Sequence, residues 1–252
     1  MKRFILKDRK LSIISKVMMI IIWIMLSRVI DNEVILPTIK STMISLIHII
    51  KEPSFLKIVE YSLLRSLIGF LISLSLAVLM GILSSLSKVV YNLMLPILNF
   101  LSSVPTMAII ILALIWLDNE FAPMFVGFIM VFPMLYETVL KGILNVDKNI
   151  IDMAEIYKVD KIAIIKDIYL PSIFLNLGLV FTSALGINLK MVIAGEALSQ
   201  PKYAIGSSLQ LQKIYLNTSG VFAWIIIILL IAKIFEYMMK GIKYLLGINR
   251  WK

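Results

Sequence analysis

Long stretches without a charged residue constrain the fold of this sequence more than any other feature. Four of them, 66–87, 89–117, 168–189 and 214–232, are each about as long as the roughly 20 helical residues needed to cross the hydrocarbon layer of a bilayer. A chain crosses that layer only with its backbone polar groups bonded internally, which favours helices. With 60% hydrophobic and 16% charged residues, the sequence excludes an ordinary water-soluble globule.

Two further segments extend this pattern. Residues 121–140 are apolar apart from Glu137, and residues 11–30 are apolar apart from Lys16 and Arg28. The long Lys16 and Arg28 side chains can extend towards the membrane surface, and 121–140 suffices as a span if Glu137 faces protein or lies near the interface. Neither segment is therefore excluded. The sequence therefore predicts an all-α polytopic membrane protein with six transmembrane helices, the first of which remains in the chain as a helix.

A more polar stretch, 31–57, separates the first two predicted spans. Pro37 and Pro53 bound a segment whose apolar residues recur at helical spacing, and this segment is too short and too polar to span. It predicts an interfacial helix on the outer surface. The one histidine, His48, has no adjacent acidic partner in this interpretation and is expected at the interface, with a proton-relay role as the alternative.

The net charge of +10 is concentrated at the ends of the chain. Residues 1–16 and 233–252 carry nine of the ten net positive charges, which the positive-inside rule places in the cytoplasm. Six spans put both ends on one side of the membrane, and the acidic residues 118–120 then lie outside. A nucleic-acid surface is excluded because it would need its basic residues gathered on one folded face.

The composition also argues against enzymatic chemistry. The chain has no cysteine and one histidine, so thiolate metal sites, disulfides and a Ser-His relay lack their residues. It contains no His-Glu-x-x-His or Gly-x-Ser-x-Gly motif. A phosphate-binding loop ends in Gly-Lys followed by Ser or Thr, and this sequence has no Gly-Lys dipeptide. Any ATP hydrolysis must therefore come from another subunit.

Small residues and prolines mark the inner spans. The second span has a small residue at every fourth position, which predicts a helix-packing face, with a substrate path as the alternative. The prolines of the third and fourth spans are expected to bend their helices. The small residues are Gly69, Ser73, Ala77 and Gly81, and the prolines are Pro96, Pro105, Pro123 and Pro133.

The segment 141–171, cytoplasmic in this topology, differs from the other connections. It carries five basic and five acidic residues, and its apolar residues repeat helically in two short sets with Asp160 between them. Asp160 is positioned to cap the second set. Two short amphipathic helices of mixed charge predict a segment that docks onto another protein.

The same segment carries a family resemblance. It reads Asp152-Met153-Ala154, three residues, Lys158, nine residues and Ile168-Tyr169-Leu170-Pro171, which resembles the EAA loop of permease subunits of ABC importers. Further stretches, 61–70, 103–105 and 192–196, resemble permeases of the nitrate, sulfonate and taurine type. The sequence departs from the EAA pattern at the corner glycine, here Lys158, and at its first two residues.

The resemblance implies a type I ABC importer transmembrane domain over 58–246. Residues 1–57 would form a basic cytoplasmic start, the first span and the outer interfacial helix, and 247–252 a cytoplasmic tail. The coupling segment would be 148–169. The residues expected to couple to an ATPase are Asp152, Met153, Ala154, Glu155, Lys158, Ile168, Leu170 and Pro171.

The implied partners follow from the same resemblance. They are a cytoplasmic ATPase that binds ATP and Mg, a second copy of this permease, and an extracytoplasmic solute-binding protein; the chain itself would be no enzyme and hold no cofactor. Lysine at position 158 implies either a reshaped corner or a left-handed residue strained by about 1 kcal/mol.

Polar residues within the spans are candidates for a translocation path. Each could instead bond to a neighbouring helix, and Glu196 could either attract an anionic solute or pair with a cation such as Lys190. The alternative function is an ion-coupled secondary transporter, which would transport without ATP; the transported solute stays open. The candidates are Asn99, Ser102, Ser103, Asn176, Ser183, Asn188 and Glu196.

Overall fold

The computed structural model describes residues 9–245, and within this range the chain is helical without a strand. The predicted tail 247–252 and the first eight residues of the basic start lie outside the described residues. In chain order the helices are α1 (Arg9–Ile30), α2 (Ile39–Lys51), α3 (Phe55–Leu86), α4 (Lys88–Ser103), α5 (Thr106–Trp116), α6 (Ala122–Leu144), α7 (Lys148–Ile156), α8 (Lys161–Ile164), a π-helical turn (Ile165–Tyr169), α9 (Leu170–Ser199), α10 (Ile205–Ile214) and α11 (Thr218–Leu245).

Five of the described helical stretches are long and apolar enough to cross a membrane, and a bent helix pair raises the number to six. The prediction of an all-helical, multi-pass membrane protein is confirmed. The five stretches are Ile13–Ile30, Phe55–Leu86, Ala122–Leu144, Ile162–Ser199 and Thr218–Met238.

The third predicted span is not one helix, which corrects the expectation of a single bent helix over 89–117. Helix α4 ends at Ser103 and α5 begins at Thr106, and the two axes differ by 104°. Val104 is extended, with φ −73° and ψ 132°, because the proline that follows it disfavours helical backbone. Pro105 therefore separates two helices where we expected it to bend one.

The other prolines act according to their position. Pro96 and Pro133 lie inside α4 and α6, each removing one backbone donor. Pro123 occupies the first turn of α6, where a backbone N–H has no partner within the helix in any case. The expectation that Pro123 bends its helix is therefore wrong.

One compact unit comprises residues up to Phe55 together with Ser208–Leu229. Within it, the Trp23 ring lies 5.3 Å from the Phe222 ring and its Nε1 donates to the Pro37 carbonyl at 3.0 Å. Ser45 and Ser219 share a hydrogen bond of 2.8 Å. Most apolar side chains of α1 are exposed, as expected of a helix surrounded by lipid.

The predicted interfacial segment forms α2, which Thr38 caps by accepting a hydrogen bond from the Ser41 N–H. His48 does have an acidic neighbour, contrary to the sequence interpretation. Its Nδ1 lies 3.7 Å from Oε1 of Glu52, because residues four apart lie on one face of a helix. The His48 side chain is 78% and the Glu52 side chain 43% exposed, so the pair contributes little stability.

The other compact unit comprises Leu56–Ser207 and the residues from Leu230 onwards. Helices α6 and α9 lie side by side at its centre, and α3 and α5 pack on α6. Gly142 lies against the backbone of Ile173, where a Cβ would approach to 3.0 Å. The buried core of this unit includes Phe70, Leu135, Tyr136 and Val139.

The second short helix of the predicted pair is not a separate element. Helix α8 runs without interruption through the π-helical turn into α9. Pro171 has no N–H, and its ring would collide with the carbonyl four residues earlier in a regular helix. The π turn directly before it widens the helix at this point, and the Leu170 N–H bonds to the Ile165 carbonyl five residues back.

Candidate functional site

The segment 148–171 leaves α6 through a capped turn. The Asp147 carboxylate accepts a hydrogen bond from the Asn149 N–H at 2.9 Å and caps α7. At the start of α8, Asp160 accepts from the Ile162 N–H at 3.2 Å, as predicted. Ser172 then donates to the Gly142 carbonyl at 2.6 Å. The Ser172 bond therefore joins α9 to α6 where the chain leaves and returns to these long helices.

The corner between α7 and α8 is a complete Schellman turn. The Val159 N–H bonds to the Ala154 carbonyl at 2.9 Å, and the Lys158 N–H to the Glu155 carbonyl at 3.0 Å, the two bonds that define this helix ending. Lys158 has φ 52°, in the left-handed region that favours glycine. Of the two outcomes expected for lysine, the strained left-handed residue is the one found.

An exposed apolar surface covers this segment. Ile156, Tyr157 and Ile162 are 78%, 77% and 73% exposed, although apolar residues of this size are usually buried in a soluble segment. Met153 and Ile150 extend the surface along α7. Asp152 and Glu155 are exposed on the same short helix and give the surface a charged rim.

Not every predicted coupling residue belongs to that surface. Ala154 is 6% exposed, so it adds almost no surface for a partner. Ile168 and Leu170 are half-buried in the continuous helix, whereas Pro171 and Lys158 are exposed. The exposed residues Ile156, Tyr157 and Ile162 complete the surface, and the EAA spacing does not single them out.

A buried ionic network lies elsewhere in the same unit. Glu196 is fully buried; its carboxylate accepts hydrogen bonds from Ser62 Oγ at 2.8 Å, Arg65 Nη1 at 3.0 Å and the Gly206 N–H at 3.1 Å. Arg65 Nη1 also donates to the Tyr203 carbonyl at 2.9 Å. A buried charge is stable only when paired and hydrogen-bonded in this way. The partner of Glu196 is therefore Arg65, and Lys190 is exposed.

Gly206 allows the closest approach in this network. A Cβ at this position would lie 2.3 Å from the Ile193 carbonyl oxygen and 2.6 Å from the Glu196 Cβ, so only glycine fits. Its N–H belongs to the first turn of α10, where unpaired backbone donors and the helix dipole favour an anion. The Glu196 carboxylate fills that position.

A second carboxylate reaches the same guanidinium. Glu120, in the loop between α5 and α6, forms an ion pair with Arg65 Nη2. The Tyr61 ring lies 5.9 Å from the guanidinium carbon and 5.8 Å from the Tyr203 ring. The sequence analysis assigned no role to Arg65 and treated residues 118–120 only as an outer loop, and so missed this network. The available signal was the isolated charge of Arg65 in an apolar run, which requires a partner.

The candidate path residues separate into two groups. Asn99, Ser102, Ser103 and Ser183 are exposed on α4 and α9. Asn188 is buried and accepts a hydrogen bond from Ser66 Oγ at 2.8 Å, and Asn176 donates to the Ser172 carbonyl at 2.9 Å. Like Glu196, these two side chains have partners within the chain.

The four small residues of α3 are all buried. A Cβ on Gly69 would lie 2.7 Å from the Met124 carbonyl oxygen, and one on Gly81 would lie 2.7 Å from Val139. Both contacts are with α6, with its backbone at Gly69 and with the Val139 side chain at Gly81, so this face of α3 packs closely on α6, as small-residue stripes do in membranes.

Comparison with known proteins agrees with this architecture. Residues 73–243 match the model of the binding-protein-dependent transport system inner membrane component. A putative ABC transporter permease of Methanocaldococcus jannaschii is 26% identical, over 95% of this chain and 90% of the relative. A putative aliphatic sulfonates transport permease of Bacillus subtilis is 23% identical, over 83% of this chain and 76% of the relative.

These matches confirm the resemblance to nitrate- and sulfonate-type ABC permeases that the motifs indicated. The family match covers more than half of the chain and includes α6, α9 and the whole 148–171 segment. This chain therefore belongs to the family of binding-protein-dependent transport system inner membrane components, the membrane permeases of ABC transporters.

Proposed function

We propose that this chain is the permease subunit of an ATP-driven importer. It forms the translocation path for a small solute delivered by an extracytoplasmic binding protein, and a separate ATPase supplies the free energy and holds ATP and Mg. The observation that carries the proposal is the exposed apolar surface of Met153, Ile156, Tyr157 and Ile162. An apolar surface rimmed by charge is typical of a protein contact.

The ATPase is the proposed occupant of this surface because the chain contains no phosphate-binding loop of its own. Two structural features support a role in transmission. The Ser172 bond to the Gly142 carbonyl joins α9 to α6 next to the segment, and α8 continues directly into the membrane helix α9. A displacement at the surface would therefore move α9 as a rigid body.

The proposed orientation places this surface and both chain ends in the cytoplasm, with 118–120 outside. The basic residues near the two ends support it through the positive-inside rule.

The proposed path uses the exposed polar side chains of α4 and α9. Polar groups at membrane depth avoid lipid and face protein or water, so Asn99, Ser102, Ser103 and Ser183 favour a path completed by a second copy of this chain. The sulfonate-transporting relative makes aliphatic sulfonates the first solutes to test.

The docking surface is tested with Ile156→Glu and Ile162→Glu together. Two carboxylates placed in an apolar contact would be desolvated without partners, at a cost of several kcal/mol. We expect the variant to reach the membrane in normal amount but to lose both co-purification of the ATPase and ATP-dependent uptake in proteoliposomes.

Two further variants complete this experiment. Ile35→Glu makes the same change at an isoleucine that is 64% exposed in the turn before α2, and we expect it to retain the ATPase. Asp152→Lys with Glu155→Lys reverses the charged rim and is expected to weaken association. Normal ATPase binding and uptake by the double glutamate variant would refute the docking assignment. ATP hydrolysis by the purified chain alone would refute the subunit assignment.

A further inference from the structure

We propose that the ion pair between Arg65 and Glu120 is a latch that opens during the transport cycle. In this proposal the loop between α5 and α6 is held against α3 while the latch is closed and is released when Glu120 leaves the guanidinium. The pair of Arg65 with Glu196 stays intact throughout. The proposal deepens the proposed function, because it assigns a moving element to a transporter.

The two carboxylates that share Arg65 differ in how easily they can leave it. Glu196 has no exposed surface, and three donors from α3 and α10 hold it. Separating it from Arg65 would leave two buried charges without their main partners, the most costly way to break an ion pair. The pair of Arg65 with Glu196 is therefore expected to stay closed throughout the cycle.

Glu120 is bound in the opposite way. Its side chain is 51% exposed, and Arg65 is its one ion-pair partner among the described residues. When the pair opens, the carboxylate returns to water, while Arg65 keeps Glu196 and the Tyr203 carbonyl. Because Glu120 regains water and the buried Arg65 stays paired with Glu196, the latch can open without unfolding the network.

The loop that carries Glu120 ends a helix whose other end is a joint. It follows α5, and the other end of α5 is the extended Val104–Pro105 connection, across which the helix axis turns by 104°. Ile110 and Ala113 pack α5 on α6, so the element that the latch releases is the loop itself. The joint at Pro105 lets α5 adjust its packing on α6 when the loop moves, as hinged elements do in conformational change.

The rest of the network keeps Arg65 in place while the Glu120 carboxylate binds to it and is released. Tyr61 and Tyr203 pack together beside the guanidinium, and Ser62 bridges the Ile205 N–H and the Glu196 carboxylate with bonds of 2.9 and 2.8 Å. The cation therefore presents Nη2 to the loop from a fixed position, which is what a reversible latch requires.

The latch can be tested with nitroxide labels at Asn119→Cys and Lys202→Cys, because the chain has no other cysteine. These residues neighbour Glu120 and Tyr203, which both bind Arg65, so the labels start close together and broaden each other's EPR spectrum. In the complex with the ATPase, we expect broadening without nucleotide and its loss when the ATPase is trapped with ATP and vanadate.

The variants separate a latch from a static contact. Glu120→Gln should lose the broadening without nucleotide, and so should Glu120→Ala. Asp118→Asn makes the same charge change two residues away in the same loop and should retain it. Glu196→Gln should lower the amount of folded chain in the membrane, because it removes the buried ion pair between Arg65 and Glu196.

Two results would overturn the proposal. One is unchanged broadening in Glu120→Gln, and the other is equal broadening in the nucleotide-free and trapped complexes. The Glu120→Gln comparison is also made on the isolated chain, without an ATPase. Failure of the chain to bind an ATPase would therefore contradict the proposed function, and failure of the variant to open the loop would contradict the latch.

Discussion

At the scale of single residues, a turn can require a backbone conformation that is unfavourable for the residue occupying it. Lys158 occupies the left-handed corner between α7 and α8, with φ 52°, where lysine is strained and glycine is not. The two bonds of the Schellman turn hold it there. The strain is local, because the corner keeps its hydrogen bonds.

Lys158→Gly is therefore expected to stabilise the folded chain by about 1 kcal/mol. The measurement is the thermal unfolding midpoint of the purified protein in detergent. Lys158→Ala serves as the control: it removes the same charge but keeps the Cβ, so we expect no comparable gain. An equal gain in both variants would show that charge, and not backbone strain, limits stability at this position.

At the scale of elements, two close contacts set how α3 lies on α6. Gly69 faces the Met124 carbonyl and Gly81 faces Val139, both at distances that exclude a Cβ. In lipid, helices associate through such packing contacts because burial of apolar surface from water contributes little. A side chain at either position would force the helices apart.

Gly69→Val is accordingly expected to destabilise the protein by at least about 2 kcal/mol, the usual cost of overpacking a dense core. Reduced accumulation in membranes and a lower unfolding midpoint would be the signs. Leu71→Val places the same side chain on an exposed position of α3 and should behave like the wild type. Normal accumulation and stability of Gly69→Val would show that α3 does not rely on this contact.

At the scale of the whole molecule, the arrangement across the membrane is the property to test. The basic residues near both chain ends predict cytoplasmic ends, and an acidic 118–120 loop predicts an outer position. Single cysteines at Asn119 and Asn149, both exposed, report on opposite sides. We expect an impermeant maleimide to label Asn119→Cys in intact cells and Asn149→Cys only after permeabilisation. The reverse pattern would invert the topology.

The sequence by itself determined the helical membrane class, most span positions and the special character of 148–171. These properties follow from local quantities: the length of uncharged runs, the 3.6-residue period and the spacing of a motif. Asp160 shows this clearly, since a capping bond depends only on neighbours along the chain. At Lys158 the sequence left two outcomes open, and the structure shows the left-handed one.

Only the tertiary structure decided which residues act together. Arg65, Glu120 and Glu196 are far apart in sequence, and nothing in their spacing indicates that the Arg65 guanidinium pairs with both carboxylates. The burial of Ala154 and the 104° turn at Pro105 also depend on neighbouring helices, because a proline permits a bend but packing sets its angle. The long-range pairing of these charges therefore had to be seen in the fold, because a buried charge such as Glu196 is stable only with a partner and the sequence does not say which residue that partner is.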